Sequence, residues 1–109
     1  MSRKVDNHPH ETVLKEEVVD HLIINSNGIY VDCTLGFGGH SFELLKNISN
    51  NGKLIGIDFD PYALEYSNKR LAELNSSFRL FNSNYSDLDS ILDSMRITKV
   101  DGILFDLGI

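Results

Sequence analysis

From Thr12 the apolar residues Val13, Leu14, Val18 and Leu22 recur at helical spacing, with His21 on the same stripe. Thr12 suits an N-cap and Glu16 and Glu17 the early turns, so an amphipathic helix is predicted to end before Asn25. Asn25-Ser26-Asn27-Gly28 is dense in turn formers, and the β-rich run Ile29 to Cys33 after it predicts the first strand. A short helix beginning near Gly39 or His40 carries Phe42, Leu44, Leu45 and Ile48 and stops in Ser49 to Gly52. Lys53 to Asp58 is a second strand of buried type. Asp60 and Pro61 then open a helix through Leu64, Ser67, Leu71 and Leu74, because proline loses nothing at the first helical position. Phe78 to Phe81 is a third strand. Ser86 is expected to cap a helix bearing Leu88, Ile91, Leu92 and Met95, and Val100 to Leu107 is a fourth strand.

Strands alternating with helices of this length call for right-handed crossovers and a parallel sheet, so the class is α/β and Rossmann-like. Residues 12–109 are read as one domain and residues 1–11, which lack apolar periodicity, as an N-terminal arm. The last strand has no covering helix after it, although parallel sheets are normally covered on both faces. The sheet is therefore expected to be incomplete, the N-terminal part of a longer protein.

The formal net charge of -6 repels phosphate backbones, so any nucleic-acid partner would need a basic surface from elsewhere. Cys33 is the only cysteine, which rules out an intramolecular disulfide and a cysteine zinc cluster and suits a reducing compartment. No apolar run approaches the roughly 20 residues of a membrane span, and Met1 to His10 has no signal-peptide core. A soluble, cytoplasmic protein is expected.

The candidate chemistry gathers at the ends of the strands, where open parallel sheets bind their ligands. Val31-Asp32-Cys33-Thr34-Leu35-Gly36-Phe37-Gly38-Gly39-His40-Ser41 turns a strand into a helix through three glycines in four positions. Glycine takes positive φ at little cost and lets a ligand approach the bare backbone. Gly36 and Gly38 begin a dinucleotide fingerprint, but Ser41 stands where its third glycine belongs. The spacing from Asp32 is more similar to S-adenosylmethionine-dependent methyltransferases, in which glycines often follow an acid at the second, fourth and sixth positions. Here those positions are Thr34, Gly36 and Gly38. Asp58, at the end of the second strand, is placed to accept from ribose hydroxyls. Carboxylates such as Asp32 and Asp106 suit a cationic sulfonium and would repel a pyrophosphate.

Gly28 to Ser41 strongly resembles the bacterial 16S ribosomal RNA cytosine-N4 methyltransferases. The resemblance extends to His10 to Val18, to Ile57-Asp58-Phe59-Asp60-Pro61 and to Val100 to Gly108. Thr12 departs from the proline that many members carry there. The resemblance implies a class I methyltransferase fold with helices on both faces of the sheet, and S-adenosyl-L-methionine as cofactor. It implies that Gly38, Gly39 and His40 meet the cofactor at its amino-acid end, that Asp58 holds the ribose, that Tyr85 lies against the adenine, and that Asp106 faces the cofactor; Gly36 is counted with them as cofactor-binding. The implied reaction is methyl transfer to N4 of a cytidine of 16S ribosomal RNA in the decoding centre of the small subunit, so rRNA methylation. The family's continuation after Asp106-Leu107-Gly108, with an inserted helical region, is absent from the chain. No catalytic residue, metal site or protein partner is assigned.

Plainer roles compete at several positions. Asp32 could be satisfied by backbone N–H groups at the strand end, and His40 could cap or pack at the start of its helix. Tyr85 could belong to the core, and Cys33 reads as a small buried thiol. His8 and His10 are expected to be solvated. A nicotinamide-dependent oxidoreductase on the same fold and a cofactor-binding module without activity are the competing functions.

Overall fold

The computed structural model describes residues 25–105. The predicted arm, the helix from Thr12 with His21, the pair His8 and His10, and Asp106 lie outside the described residues. Four parallel strands, β1 (Ile29–Asp32), β2 (Lys53–Asp58), β3 (Phe78–Asn82) and β4 (Gly102–Leu104), form one sheet in the order β3-β2-β1-β4. That order is the opening half of the doubly wound arrangement, with the reversal of winding between β1 and β4. Between the strands run α1 (Gly39–Leu45), α2 (Pro61–Ala72) and α3 (Leu88–Ser94), the last preceded by a 3-10 turn at Tyr85–Asp87.

Alternation along the strands divides the core in two. Tyr30 of β1, Leu54 of β2 and Leu104 of β4 pack with Leu44, Leu45 and Ile48 around α1 and with Leu71 of α2. Val31, Ile55, Ile57 and Ile103 point the other way, onto Ile91 and Val100, with Leu88 and Leu92 of α3 beside them. Successive strand side chains take opposite faces, so one apolar run supplies both layers, as in parallel sheets covered on both sides. Burying each such Leu or Ile contributes about 1.5–3 kcal/mol. The predicted α/β class and helices on both faces are therefore observed. Among the described residues, no helix is long and apolar enough to cross a membrane.

The predicted start of α2 holds: Asp60 accepts from the Tyr62 N–H at 2.9 Å and Pro61 follows at the first helical position. Three expectations need correction. Ser86 does not cap α3; its own N–H donates to the Asn84 side chain at 3.0 Å, which makes the 3-10 turn and delays the helix to Leu88. The Asn84 carboxamide oxygen reaches the amide two residues on, as asparagine does in turns. β4 is narrower than Val100 to Leu107, spanning Gly102–Leu104. β1 ends at Asp32 rather than Cys33, although the Cys33 N–H still donates to the Leu104 carbonyl at 2.9 Å.

The end of α3 carries no glycine signal. Arg96 adopts φ 60°, and the N–H groups of Arg96 and Ile97 return to the carbonyls of Asp93 and Leu92 at 3.0 and 2.9 Å. This is the double-bonded helix terminus that glycine normally makes, and a side chain there costs about 1–2 kcal/mol. Arg96→Gly is expected to raise the unfolding free energy by about 0.5–1 kcal/mol, because glycine's greater freedom in the unfolded chain offsets part of the relieved strain. Urea denaturation of the two proteins measures the difference.

Candidate cofactor site

The glycine turn between β1 and α1 stands at the carboxyl edge of the sheet. Gly36 has φ 56° and Gly38 φ 85°, both in the region that favours glycine. Gly38 is also the N-cap of α1, and a Cβ there would stand 3.0 Å from the Ser67 hydroxyl of α2. Gly39 and His40 follow as the first residues of α1.

Asp58 closes the turn from the end of β2. Its Oδ2 accepts from the Gly36 N–H at 2.8 Å and its Oδ1 from the Asp60 N–H at 2.9 Å. A carboxylate offers about four acceptor positions, so two amide donors leave room for further hydroxyl donors. β3 is anchored to the same point, since the Asp58 carbonyl accepts from the Ser83 N–H at 3.0 Å and from the Asn82 amide at 3.2 Å.

These elements enclose a pocket of about 320 Å³, at the small end of the usual range for ligand sites. Cys33, Thr34 and Gly36 line it from β1 and the turn, Ile57, Asp58 and Phe59 from β2, and Ser83, Asn84 and Tyr85 from the segment after β3. Of the residues singled out in the sequence, the pocket brings together Gly36, Asp58 and Tyr85. Gly38, Gly39 and His40 lie alongside in the turn and helix start and do not line it. Sequence reasoning missed Phe59, an aromatic ring 73% exposed at the end of a buried strand. Its position directly after Asp58 was the available signal. Tyr85 is also more than half exposed, its ring edge-to-face with Phe105 at 5.7 Å between centroids. It belongs to the pocket wall rather than the core.

Asp32 is fully buried. Its Oδ1 accepts from the Thr34 N–H at 3.0 Å and its Oδ2 from the Ser41 hydroxyl at 2.8 Å. The carboxylate thus ties the end of β1 to the first turn of α1, in line with the structural role weighed for it. Ser41, where a dinucleotide site would have its third glycine, is fully buried against it. Among the described residues, no group of three His, Cys, Asp or Glu side chains could hold a metal ion.

Burial pushes the Cys33 thiol up to about 12, and the neighbouring Asp32 carboxylate adds to the rise. Cys33 borders the pocket as a neutral thiol, not as a nucleophile. At pH 8 its thiolate fraction is roughly three orders of magnitude below that of a free cysteine, so native Cys33 is expected to react with a thiol reagent at least that much more slowly than in urea. Its contribution to stability is whole below the unfolded thiol's pKa of about 8.5 and is lost as the pH climbs toward 12. Stopped-flow labelling and alkaline unfolding curves check the two statements.

A solved S-adenosylmethionine complex of the O-methyltransferase TomG from Streptomyces achromogenes superposes on 93% of this chain and 53% of its own, with a TM-score of 0.66 at 16% identity. The fold is that of Rossmann-like class I methyltransferases. The ribosomal RNA small subunit methyltransferase H of Mycoplasmopsis pulmonis is 49% identical over 100 residues, 92% of this chain and 33% of that protein. The protein of the same name from Fusobacterium nucleatum is 45% identical over 106 residues, 97% of this chain and 34% of its own length. The chain thus spans about a third of the length of the curated relatives it matches. The profile of the MraW methylase family matches residues 7–109, and on these matches the chain belongs to that family.

Proposed function

We propose that the chain carries the S-adenosyl-L-methionine site of a methyltransferase acting on small-subunit ribosomal RNA, with N4 of a cytidine in 16S ribosomal RNA as acceptor. The observation that carries the cofactor reading is the pocket in which Asp58, Phe59 and Tyr85 surround the Gly36 turn. Membership of the MraW methylase family and the names of the curated relatives support the ribosomal substrate. In this reading residues 12–109 are the N-terminal part of the cofactor-binding domain and the protein works in the cytoplasm.

The residues fit the group. Asp58 keeps acceptor capacity beyond its two amide donors and would hold the ribose hydroxyls. Phe59 and Tyr85 would flank the adenine, while Gly36, Gly38, Gly39 and His40 would meet the amino-acid end. Asp106 is retained as a cofactor-facing residue by its place in the motif alone. S-adenosylmethionine supplies a methyl group on a sulfonium, an electrophile that needs no metal. The chain's own task is to fix the position of that group, since alignment of the nitrogen with the methyl and sulfur supplies much of the rate. A dinucleotide is disfavoured in the same place, because the buried Ser41, bonded to Asp32, stands where the third glycine of its fingerprint belongs.

Isothermal titration with S-adenosylhomocysteine is expected to show saturable binding, and Asp58→Ala to weaken it by about 10- to 150-fold, the equivalent of one charge-assisted hydrogen bond. No binding to the unaltered protein, or unchanged affinity in the variant, would remove Asp58 from a cofactor site. Incubating a full-length protein that carries this chain with undermethylated small subunits and labelled S-adenosylmethionine is expected to yield N4-methylcytidine on nucleoside mass spectrometry, and the 109 residues alone to transfer no methyl. Label on another base or on ribose would refute the acceptor.

A further inference from the structure

The glycine turn is anchored from β2 and from the helix beside it, α2. Ser67, in the middle of α2, is fully buried, and its hydroxyl donates to the Gly36 carbonyl at 2.9 Å. Asp58 takes the N–H of the same residue at 2.8 Å. Both polar groups of Gly36 are thus held by side chains of the second strand-helix unit. Three residues along α2, the Arg70 guanidinium donates to the next carbonyl, that of Phe37, at 3.3 Å. Peptide planarity sets an N–H antiparallel to the carbonyl of the same peptide. Fixing the Gly36 carbonyl on the α2 side therefore sends the Phe37 N–H to the opposite side of the turn.

A buried serine in the middle of a helix has a nearer acceptor in the carbonyl four residues back. Ser67 instead reaches a residue 31 positions away in the sequence. The packing leaves little slack, since a Cβ on Gly38 would meet the same hydroxyl at 3.0 Å.

We propose that Ser67 is a positioning residue for the cofactor: its hydroxyl sets the orientation of the Gly36–Phe37 peptide and so the affinity of the turn for the amino-acid end of S-adenosylmethionine. The inference rests on the reading of the glycine turn as the seat of that end. It assigns no ligand contact to Ser67. Its effect is confined to one half of the ligand, because the adenosine half faces Asp58, Phe59 and Tyr85.

Two ligands separate the halves: S-adenosylhomocysteine carries the amino-acid end, and 5′-methylthioadenosine lacks it. Titration of the unaltered protein comes first. If it binds S-adenosylhomocysteine no more tightly than 5′-methylthioadenosine, the reading of the turn falls before any variant is made, and the proposal falls with it. Ser67→Ala and the nearly isosteric Ser67→Cys, a poor donor, are then expected to bind S-adenosylhomocysteine about three- to tenfold more weakly, with 5′-methylthioadenosine unchanged. Equal weakening of both ligands would make Ser67 a packing residue only. No change in either would leave the hydroxyl without a role. Each of these two results overturns the proposal while leaving the cofactor reading intact.

Discussion

The site depends on one hydrogen bond, from the Gly36 N–H to the Asp58 carboxylate. It joins the loop after β1 to the end of β2, and with the Asp60 N–H on the other oxygen it fixes the carboxylate plane. Without it the turn would retain the Leu35 N–H to Ile57 carbonyl bond at 3.2 Å, but the residue with φ 56° would lose its nearest anchor. Glycine's freedom leaves such a turn other conformations, so one geometry persists only where its surroundings over-determine it. Here Asp58, Ser67 and Arg70 supply that over-determination from the strand and helix that follow in the sequence.

The two-sided core makes such precision possible. β1 and β2 lie in the middle of the described sheet, with Tyr30 and Leu54 buried on one face and Val31 and Ile55 on the other. Strands clamped from both sides have little freedom to slide, so their carboxyl ends arrive in fixed register, Asp32 opposite Gly56 on one side and Leu104 on the other. The edge strand β3 is less enclosed and contributes its end, Ser83 to Tyr85, to the open wall of the pocket.

Two carboxylates separated by 26 positions play different parts because their surroundings differ. Asp32 is fully buried and ties β1 to α1 through Thr34 and Ser41. A buried carboxylate is tolerated because donors replace the water it has lost. Asp58 is half-buried at the pocket wall, where each oxygen has one amide donor and remaining acceptor capacity. The same residue type therefore serves as a strut in one place and as a candidate recognition group in the other.

The amino-acid sequence by itself determined the alternation of strands and helices, the turn at Gly36 and Gly38, the cap at Asp60-Pro61 and the carboxylate at the end of β2. Each is written in local periodicity or in the backbone demands of a few adjacent residues. It also carried the family, because the motifs around Gly36, Asp58 and Asp101 to Gly108 are contiguous stretches. Only the tertiary structure decided that Asn84 rather than Ser86 shapes the entry to α3, that Arg96 takes the left-handed position, and that Phe59 stands exposed on the pocket wall. It alone brought Ser67 to the Gly36 carbonyl across 31 positions. On a helix stripe a buried serine reads as a small core residue. What it bonds to depends on how α2 packs against the turn, and that packing is fixed by side chains distributed over the whole sheet.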